Sequence, residues 1–354
     1  MELDMTEDIN RQFKPLIQDQ GLPELKKWME DHDEPGYRAG QVFSWVHGKQ
    51  VTSFDAMTNL SKSLRAKLAK DYDAAPLAMV QRQISGADGT NKFLYRLRDG
   101  QCIETVFMPY HHGNSVCVSS QAGCSMGCTF CASTIGGKVR DLTRGEILAQ
   151  VYETQRLTGE PVSNAVIMGT GEPLDNTEEV IGFIRLLADP DGQNMSMRNI
   201  TLSTCGIVPG IYRLAEEKMP ITLALSLHAP TQEKREKLMP IARRYHLDEV
   251  MRACDDYREA TGRRETFEYA LVAGVNDTDE DVRELAQLLK GRSAHVNLIP
   301  VNPVRTSKAR RPERRHVLEF QKKLEKSGIN GTIRREMGAD IDGACGQLRR
   351  RQGV

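Results

Sequence analysis

Residues 123–131 read Gly-Cys-Ser-Met-Gly-Cys-Thr-Phe-Cys, and the rest of the chain is organised around this stretch. Cys124, Cys128 and Cys131 follow a C-x3-C-x2-C spacing, which allows one compact loop to aim three thiolates at a single point. Thiolate is the soft ligand that selects iron–sulfur, Cu(I) or zinc centres. A redox or structural centre normally has four protein ligands, so three thiolates favour an iron–sulfur cluster with one iron open to a substrate.

Three other interpretations of these cysteines stay open. A structural zinc site usually closes with four ligands from paired C-x2-C knuckles, and the sequence shows no second knuckle. A ferredoxin-type electron carrier uses runs of four cysteines that often end in Cys-Pro, whereas Ala132 follows Cys131 here. Three unrelated core cysteines are the last alternative, and the tight spacing argues against them.

Length and charge restrict the class of protein. The 354 residues suit one large α/β barrel with a small accessory domain. Lys+Arg and Asp+Glu both number 48, so a nucleic-acid partner would have to bind a local basic patch. No stretch resembles a signal peptide or approaches the ~20 apolar residues of a membrane span. We therefore expect a soluble, cytoplasmic monomer with no membrane partner, whose eight cysteines are reduced, metal-bound or catalytic.

Hydrophobic periodicity divides the chain into four parts. Residues 1–75 show apolar residues at helical spacing, which predicts a helical accessory domain with helices at Leu22–Asp33, Tyr37–Lys49 and Leu60–Tyr72. Residues 76–114 change to a period of two, which predicts a β-extension or linker. Residues 115–345 form the core, and residues 346–354 form a basic tail.

The core alternates candidate strands with helical segments. This rhythm predicts parallel strands joined by right-handed crossovers, and hence an α/β fold built as a full or partial β/α barrel. The predicted strands are Ser115–Ser119, Asn164–Met168, Asn199–Ser203, Ile221–Leu227, Glu265–Val272, His295–Pro300 and Ile329–Arg334.

The least ordinary polar residues follow these strands, where the active site of a β/α barrel lies. Gly171 and Glu172 follow the second strand; glycine lets the backbone approach a ligand, and the carboxylate can accept hydrogen bonds from an ammonium group. Four further polar residues would gather at the same rim: Ser203, Ser226, His228 and Asn302. Singly, each is equally a turn or capping residue, so the functional interpretation depends on their combination with the cysteine loop.

The cysteine spacing, with an aromatic Phe130 before the last cysteine, resembles the cluster motif of the radical-SAM superfamily. Other stretches resemble one family within it, the RlmN-type adenine-C2 RNA methyltransferases that act on 23S rRNA and tRNA. These stretches are Gly-Glu-Pro at 171–173, Ser-Thr-Cys-Gly at 203–206, Ser-Leu-His-Ala-Pro at 226–230, Gly-Val-Asn-Asp at 274–277, Asn-Leu-Ile-Pro-Val-Asn-Pro at 297–303 and Asp-Ile-Asp-Gly-Ala-Cys-Gly-Gln-Leu at 340–348. The resemblance implies a partial barrel, a [4Fe–4S] cluster, S-adenosylmethionine, both RNAs as substrates and an external electron donor.

The resemblance also implies a role for each matching residue. Cys124, Cys128 and Cys131 bind the cluster. The S-adenosylmethionine site is lined by Gly171, Glu172, Ser203, Ser226, Leu227, His228 and Asn302. Cys345 carries the methyl group, Cys117 resolves the protein–RNA adduct as a disulfide, and Glu104 accepts the C2 proton.

Without the resemblance, these last three residues have ordinary interpretations. Cys117 is a buried strand cysteine or a fourth cluster ligand. Cys345 is a surface thiol in a glycine-flanked loop, and Glu104 is a solvent-facing glutamate that alternates out of an apolar strand. Cys102, Cys205 and Cys254 are interpreted as structural.

Basic stretches are the candidate RNA contacts, because phosphate contacts supply affinity without reading sequence. They are Arg305, Lys308, Arg310, Arg311, Arg314, Arg315, Arg334, Arg335, Arg349, Arg350 and Arg351. Lys62, Arg65, Lys67 and Lys70 in the helical domain are equally explained as a solvated face. Three rival functions stay open: a C8-methylating resistance enzyme with the same motifs, an iron–sulfur electron carrier, and an RNA-binding protein with structural zinc.

Overall fold

The computed structural model describes residues 13–302 and 309–341. These contain ten α-helices: α1 (Leu22–Asp31), α2 (Arg38–Phe43), α3 (Lys62–Asp71), α4 (Arg144–Thr158), α5 (Thr177–Ala188), α6 (Val208–Glu216), α7 (Gln232–Leu238), α8 (Leu247–Thr261), α9 (Asp279–Leu288) and α10 (Arg314–Lys326). They also contain twelve strands: β1 (Leu77–Ile84), β2 (Asn91–Leu97), β3 (Cys102–Met108), β4 (Ser115–Val118), β5 (Gln121–Gly123), β6 (Lys138–Asp141), β7 (Asn164–Ile167), β8 (Ile200–Thr204), β9 (Thr222–Ser226), β10 (Thr266–Leu271), β11 (His295–Pro300) and β12 (Asn330–Ile333).

Ten strands form one sheet in the order β1-β2-β3-β4-β7-β8-β9-β10-β11-β12. The first four pair antiparallel, whereas β4 and β7 to β12 pair parallel and are connected by helices α4 to α10. Within the described residues no ladder joins β12 back to β1, so the barrel is partial. The predicted α/β fold is confirmed, and the seven predicted core strands differ from the observed strands by no more than one residue at either end.

The N-terminal helices pack against the barrel through buried polar contacts. His47 lies between the phenol of Tyr152 on α4, 3.0 Å from Nδ1, and the carbonyl of Gln20, 2.9 Å from Nε2. The Asp19 carboxylate accepts a hydrogen bond from the Gly145 N–H at the start of α4. The segment predicted as one helix over 37–49 is shorter, because α2 ends at Phe43 and a π-helical turn continues to Gly48.

A second, two-stranded sheet of β5 and β6 was not predicted from the sequence. It encloses the cysteine loop, since the Cys124 N–H donates to the Gly137 carbonyl at 3.1 Å. A Cβ at Gly123, which has a φ of +86°, would lie 2.0 Å from that same carbonyl oxygen. Only glycine therefore fits where the loop begins.

Both faces of the central strands are covered, as expected for a parallel sheet with helical crossovers. The apolar core between sheet and helices includes Val116, Ile167, Leu202, Leu225 and Phe267. Among the described helices, none has the length and apolar character needed to cross a membrane.

Candidate active site

The cysteine loop packs against α7 and the turn that follows it. The Thr129 N–H donates to the Leu238 carbonyl at 2.9 Å, and the loop closes locally through the Cys131 N–H and the Cys128 carbonyl at 3.1 Å. A Cβ at Gly127 would meet the Pro240 ring at 3.4 Å. The loop conformation is thus fixed by packing on a neighbouring helix as well as by the β5–β6 hairpin.

All three loop cysteines line one cavity of about 670 Å³, within the usual range for a ligand pocket. Burial raises the pKa of the Cys124 thiol to about 12 and raises that of Cys128 still further, and the neighbouring loop thiols add to both shifts. Free thiolates are therefore disfavoured, and coordination to a metal centre would reverse this preference.

Ligand geometry favours a cluster over a single ion. Among residues 13–302 and 309–341, no three His, Cys, Asp or Glu side chains are arranged to hold one metal ion. A tetrahedral zinc would need its thiolates to meet at one atom, about 2.3 Å from each sulfur. A cubane binds each cysteine through a different iron, so three thiolates that face one cavity need not meet at one atom.

A buried cation lies behind the cysteines and supports the same assignment. Arg235 on α7 is fully buried, and its Nη2 donates to the Cys205 carbonyl at 2.5 Å. In the described part of the chain its Nε and Nη1 have no hydrogen-bond partner. Because an uncompensated buried charge is costly, a negatively charged group is expected beside it, and a cluster with three thiolates meets that requirement.

Glu172 is held rigidly at the cavity wall. Its carboxylate accepts hydrogen bonds from the Thr204 hydroxyl at 2.7 Å, the Cys205 N–H at 2.8 Å and the Leu174 N–H at 3.0 Å. Burial raises the pKa of Glu172, and these hydrogen bonds oppose the shift. The Cys205 side chain also hydrogen-bonds to this carboxylate, which offers about four acceptor positions, so a ligand ammonium would take the place of that thiol.

Gly171 presses the backbone against Gln121, with a φ of +111°. A Cβ at this position would lie 2.6 Å from the Gln121 Cβ. Gln121 Oε1 in turn accepts the Glu172 N–H at 2.8 Å, and its Nε2 donates to Asp141 and Asp175. Gln121, which sequence reasoning missed, therefore fixes the position of the Gly171-Glu172 backbone.

A row of polar side chains crosses the barrel interior. The Ser203 and Ser226 hydroxyls lie 3.1 Å apart on β8 and β9. Ser226 is paired with Glu268 on β10, which is paired with Asn297 on β11, and the Asn297 amide donates to Glu268 at 2.9 Å. Burial raises the pKa of Glu268, which lines the cavity. A glutamate within the apolar strand Thr-Phe-Glu-Tyr-Ala-Leu is the sequence signal that marks this position.

His228 lines the cavity in a backbone conformation that is rare outside glycine, with a φ of +57°. The Ala270 N–H donates to its Nδ1 at 3.0 Å, so the neutral ring carries its proton on Nε2. Burial, with the nearby Arg235, lowers the pKa of His228 to about 3. Its ring stands edge-on to Phe130 with the centroids 4.9 Å apart, which gives the cavity an apolar wall beside the cysteines.

Asn302 and Leu227, the last two predicted S-adenosylmethionine contacts, differ in placement. Asn302 lines the cavity mouth, where its Oδ1 lies 3.4 Å from Arg311. The Leu227 side chain is fully buried in the core and does not line the cavity; its N–H donates to the Glu268 carbonyl at 3.0 Å. Ten of the predicted site residues therefore share one cavity: Cys117, Cys124, Cys128, Cys131, Gly171, Glu172, Ser203, Ser226, His228 and Asn302.

Glu104 is not the solvent-facing glutamate that its alternating pattern suggests. It is 4 % exposed and lies 3.0 Å from the fully buried Lys92 ammonium on β2. Strand alternation places it on the same face of β3 as Val106 and Met108, which line the cavity. Val106 is paired with Cys117 on β4, and Glu104 is two residues before Val106 in β3.

Other predicted residues fall outside the site or outside the described residues. Cys345 lies outside the described ranges, as do Arg305, Lys308 and Arg349 to Arg351. Cys102 and Cys254 are buried away from the cavity, whereas Cys205 lines it. No disulfide joins the seven cysteines that the structure describes.

The basic residues separate into three groups. Arg311, Arg334 and Arg335 are exposed and line the cavity mouth, where Arg311 also pairs with Glu336. In the helical region, Arg65 and Lys67 are half-buried and bind Asp55 and Glu34, as structural residues would. The exposed residues Arg310, Arg314, Arg315, Lys62 and Lys70 do not line the cavity.

An α/β partial barrel with three loop cysteines facing its cavity defines a radical-SAM protein. Residues 118–289 match the model of the Radical SAM superfamily. A crystal structure of a radical SAM methyltransferase from Sphaerobacter thermophilus has a TM-score of 0.90 and 44% identity, and the match covers 94% of this chain and 98% of that one. The superfamily's [4Fe–4S] cluster and S-adenosylmethionine are the cofactors of this chain, and the residues around the cavity fit both.

The particular family follows from closer relatives. Residues 17–73 match the N-terminal domain of ribosomal RNA large subunit methyltransferases. The probable dual-specificity RNA methyltransferase RlmN of Lachnoclostridium phytofermentans is 56% identical over 93% of this chain and 92% of its own length. The protein of the same name from Desulforamulus reducens is 52% identical over 97% of this chain and 98% of its own length. The chain belongs to the RlmN family.

Proposed function

We propose that this protein methylates C2 of adenosine in 23S rRNA and tRNA through a methylated-cysteine intermediate. Family membership gives the reaction class, RNA methylation by a radical-SAM enzyme. The observation that carries the finer assignment is that Cys117 shares one cavity with the three loop cysteines and with Glu172. Cys205 lines this cavity as well. A further thiol, Cys345, follows the segment over residues 337–341, most of which lines the same cavity.

Cys124, Cys128 and Cys131 would hold the cluster and leave one iron for S-adenosylmethionine. Glu172 would accept from the amino group, and Ser203, Ser226 and Asn302 would bind the remaining polar groups. When bound, the cluster and S-adenosylmethionine supply one-electron chemistry that generates an adenosyl radical. The Phe130–His228 wall would exclude water from that radical.

Two further thiols are needed because adenine C2 is electron-poor and does not attack a methyl sulfonium. The Cys345 thiolate would take the methyl group from one S-adenosylmethionine. The methyl carbon would give a hydrogen atom to the adenosyl radical and bond to C2, and the resulting adduct would return one electron to the cluster. Glu104, whose carboxylate lies 3.0 Å from the Lys92 ammonium, would remove the C2 proton. The Cys117 thiolate would then attack the Cys345 sulfur and form a disulfide, while the electron pair of the broken sulfur–carbon bond passes to the released carbon. That carbon would take up a proton to become the methyl group, and an external reductant would reduce the disulfide.

RNA would enter across the arginines at the cavity mouth. Arg311, Arg334 and Arg335 place fixed positive charge where a phosphate backbone could be held. The target base must leave its stack to reach a buried thiol, so a flipped or unpaired adenosine is the expected substrate.

We also propose that the enzyme works as a cytoplasmic monomer with an external electron donor. We propose four parts of the chain: a helical accessory domain over residues 1–75, a β-extension over 76–114, the barrel core over 115–345 and a basic tail over 346–354.

Mass spectrometry tests the regiochemistry. Anaerobically reconstituted protein should convert adenosine to 2-methyladenosine in protein-free 23S rRNA and in tRNA. Heat-denatured protein and a reaction lacking S-adenosylmethionine are the controls. Methylation only at C8 would refute the C2 assignment, and product on rRNA alone would remove tRNA from it.

A further inference from the structure

The buried side of the cysteine loop holds an arginine that the proposed mechanism does not use. Helix α7 reads Gln-Glu-Lys-Arg-Glu-Lys-Leu, a composition typical of a solvent-exposed helix. Both of its lysines have carboxylate partners, since Lys234 pairs with Asp281 and Glu284 while Lys237 pairs with Glu233. Arg235 differs from both because it is 0% exposed.

No carboxylate forms an ion pair with Arg235 in the described ranges of the chain. Its one hydrogen bond there goes to the Cys205 carbonyl, and Nε and Nη1 have no partner. The groups whose charge acts on it are the thiols of Cys205, Cys128 and Cys254. Although burial lowers its pKa, an arginine starts so far above neutrality that it keeps its charge.

The position of Arg235 limits which bound group its charge can act on. Arg235 is absent from the residues that line the cavity, so it lies behind Cys128 rather than beside the space for S-adenosylmethionine or RNA. The same helix contacts the loop through Leu238, which accepts from Thr129. Arg235 is thereby held at a fixed position relative to the cluster cysteines.

We propose that the fixed positive charge of Arg235 stabilises the reduced form of the cluster and so raises the reduction potential of the cluster. The inference rests on the proposed function, because it requires the cluster. An oxidised [4Fe–4S] core with three thiolates carries one net negative charge, and an electron from the external donor adds a second. A fixed cation stabilises the reduced state more than the oxidised one, and low local dielectric strengthens the effect.

The test is a redox titration of anaerobically reconstituted full-length protein, with the reduced cluster measured by EPR in the absence of S-adenosylmethionine and RNA. Arg235→Gln removes the charge, and Arg235→Lys retains it. Lys237→Met is the matched control, because it removes a cation from the same helix at a side chain that is 68% exposed.

At a fixed poise, Arg235→Gln should lower the ratio of reduced to oxidised cluster at least tenfold, which is 59 mV for a one-electron couple. Arg235→Lys should recover most of this loss, and Lys237→Met should match the wild type. If Arg235→Gln fails to retain iron while Arg235→Lys retains it, the need for a cation at this position is supported. Loss of iron in both variants would refute the proposal in favour of a purely structural guanidinium.

Two further results are distinguishable. An unchanged potential in Arg235→Gln, with weakened S-adenosylmethionine binding, would overturn the proposal and assign Arg235 to the substrate carboxylate. Wild-type protein that binds no EPR-active cluster would contradict the proposed function itself, whatever the Arg235 variants do.

Discussion

Replacing Lys92 with methionine should destabilise the protein and stop RNA methylation together. Lys92 and Glu104 are 0% and 4% exposed, with Nζ 3.0 Å from Oε2. The substitution removes the ammonium that lies against this buried carboxylate. The proposed base then loses a contact that holds its position, so transfer of the C2 proton should fail.

The expected loss follows from the geometry. Breaking one partner of a buried ion pair typically costs about 3–5 kcal/mol, while replacing both partners with apolar residues is often close to neutral. Lys92→Met should therefore lose about 3–5 kcal/mol. The double variant Lys92→Met/Glu104→Met should recover most of that loss. Lys27→Met, which breaks a pair 75% and 55% exposed, should change stability far less than Lys92→Met, because water screens an exposed pair.

Anaerobic urea denaturation followed by circular dichroism measures these differences as shifts in midpoint at constant slope. In parallel, Lys92→Met and Glu104→Gln should both retain methylation of Cys345, seen by mass spectrometry of the protein, and lose methylation of RNA. Additive stability losses in the double variant would show that the two residues are not energetically coupled. Full RNA methylation by Glu104→Gln would remove Glu104 as the base.

Four other outcomes are expected. Cys117→Ala should trap a covalent protein–RNA adduct, visible as an RNase-sensitive band, and recovery of RNA-free mutant protein would count against its resolving role. Cys345→Ala should keep its iron content and lose RNA methylation; retained turnover would exclude it from the reaction. Gly171→Ala, whose Cβ would lie 2.6 Å from the Gln121 Cβ at a φ of +111°, should cost about 1–3 kcal/mol and weaken S-adenosylmethionine binding at least tenfold by equilibrium dialysis. Burial lowers the pKa of His47 from 6.5 in the unfolded chain to about 4, so its contribution to stability should be fully present above pH 6.5 and should fall by about 3 kcal/mol toward pH 4. Urea titrations at each pH should show a weaker dependence of stability on pH in His47→Gln. An equal dependence in the variant and the wild type would assign the effect to another group.

The strand–helix alternation predicted the barrel well because each crossover has a strong local pattern. The β5–β6 hairpin escaped prediction because β5 has only three residues, Gln-Ala-Gly, with no alternation to detect. The burial of Glu104 escaped for a different reason. Thr105 on one face of β3 bonds Gln150 of α4 at 2.9 Å, while Glu104 on the other faces the barrel interior. The alternation was real, but neither face of the strand meets solvent.

Arg235 marks the limit of sequence reasoning at this site. A seven-residue helix with five charged side chains gives no periodic sign that one of them is buried. Only the packing of that helix beneath the cysteine loop reveals it. Cavity-lining glycines and cysteines could be predicted because their chemistry is unusual at their spacing, whereas Gln121, Lys92 and Arg235 act through neighbours that sequence does not display.

Residues 337–341, at the end of the described chain, are held beside the cavity. Their position is fixed at the β1–β2 turn, where Asp340 accepts from Ser85 at 2.5 Å and from the Gly86 N–H at 2.9 Å. Ile341 lines the cavity, and Met337 packs with Cys117. The described chain thus reaches the cavity at Ile341, four residues before the proposed methyl carrier Cys345 in the sequence.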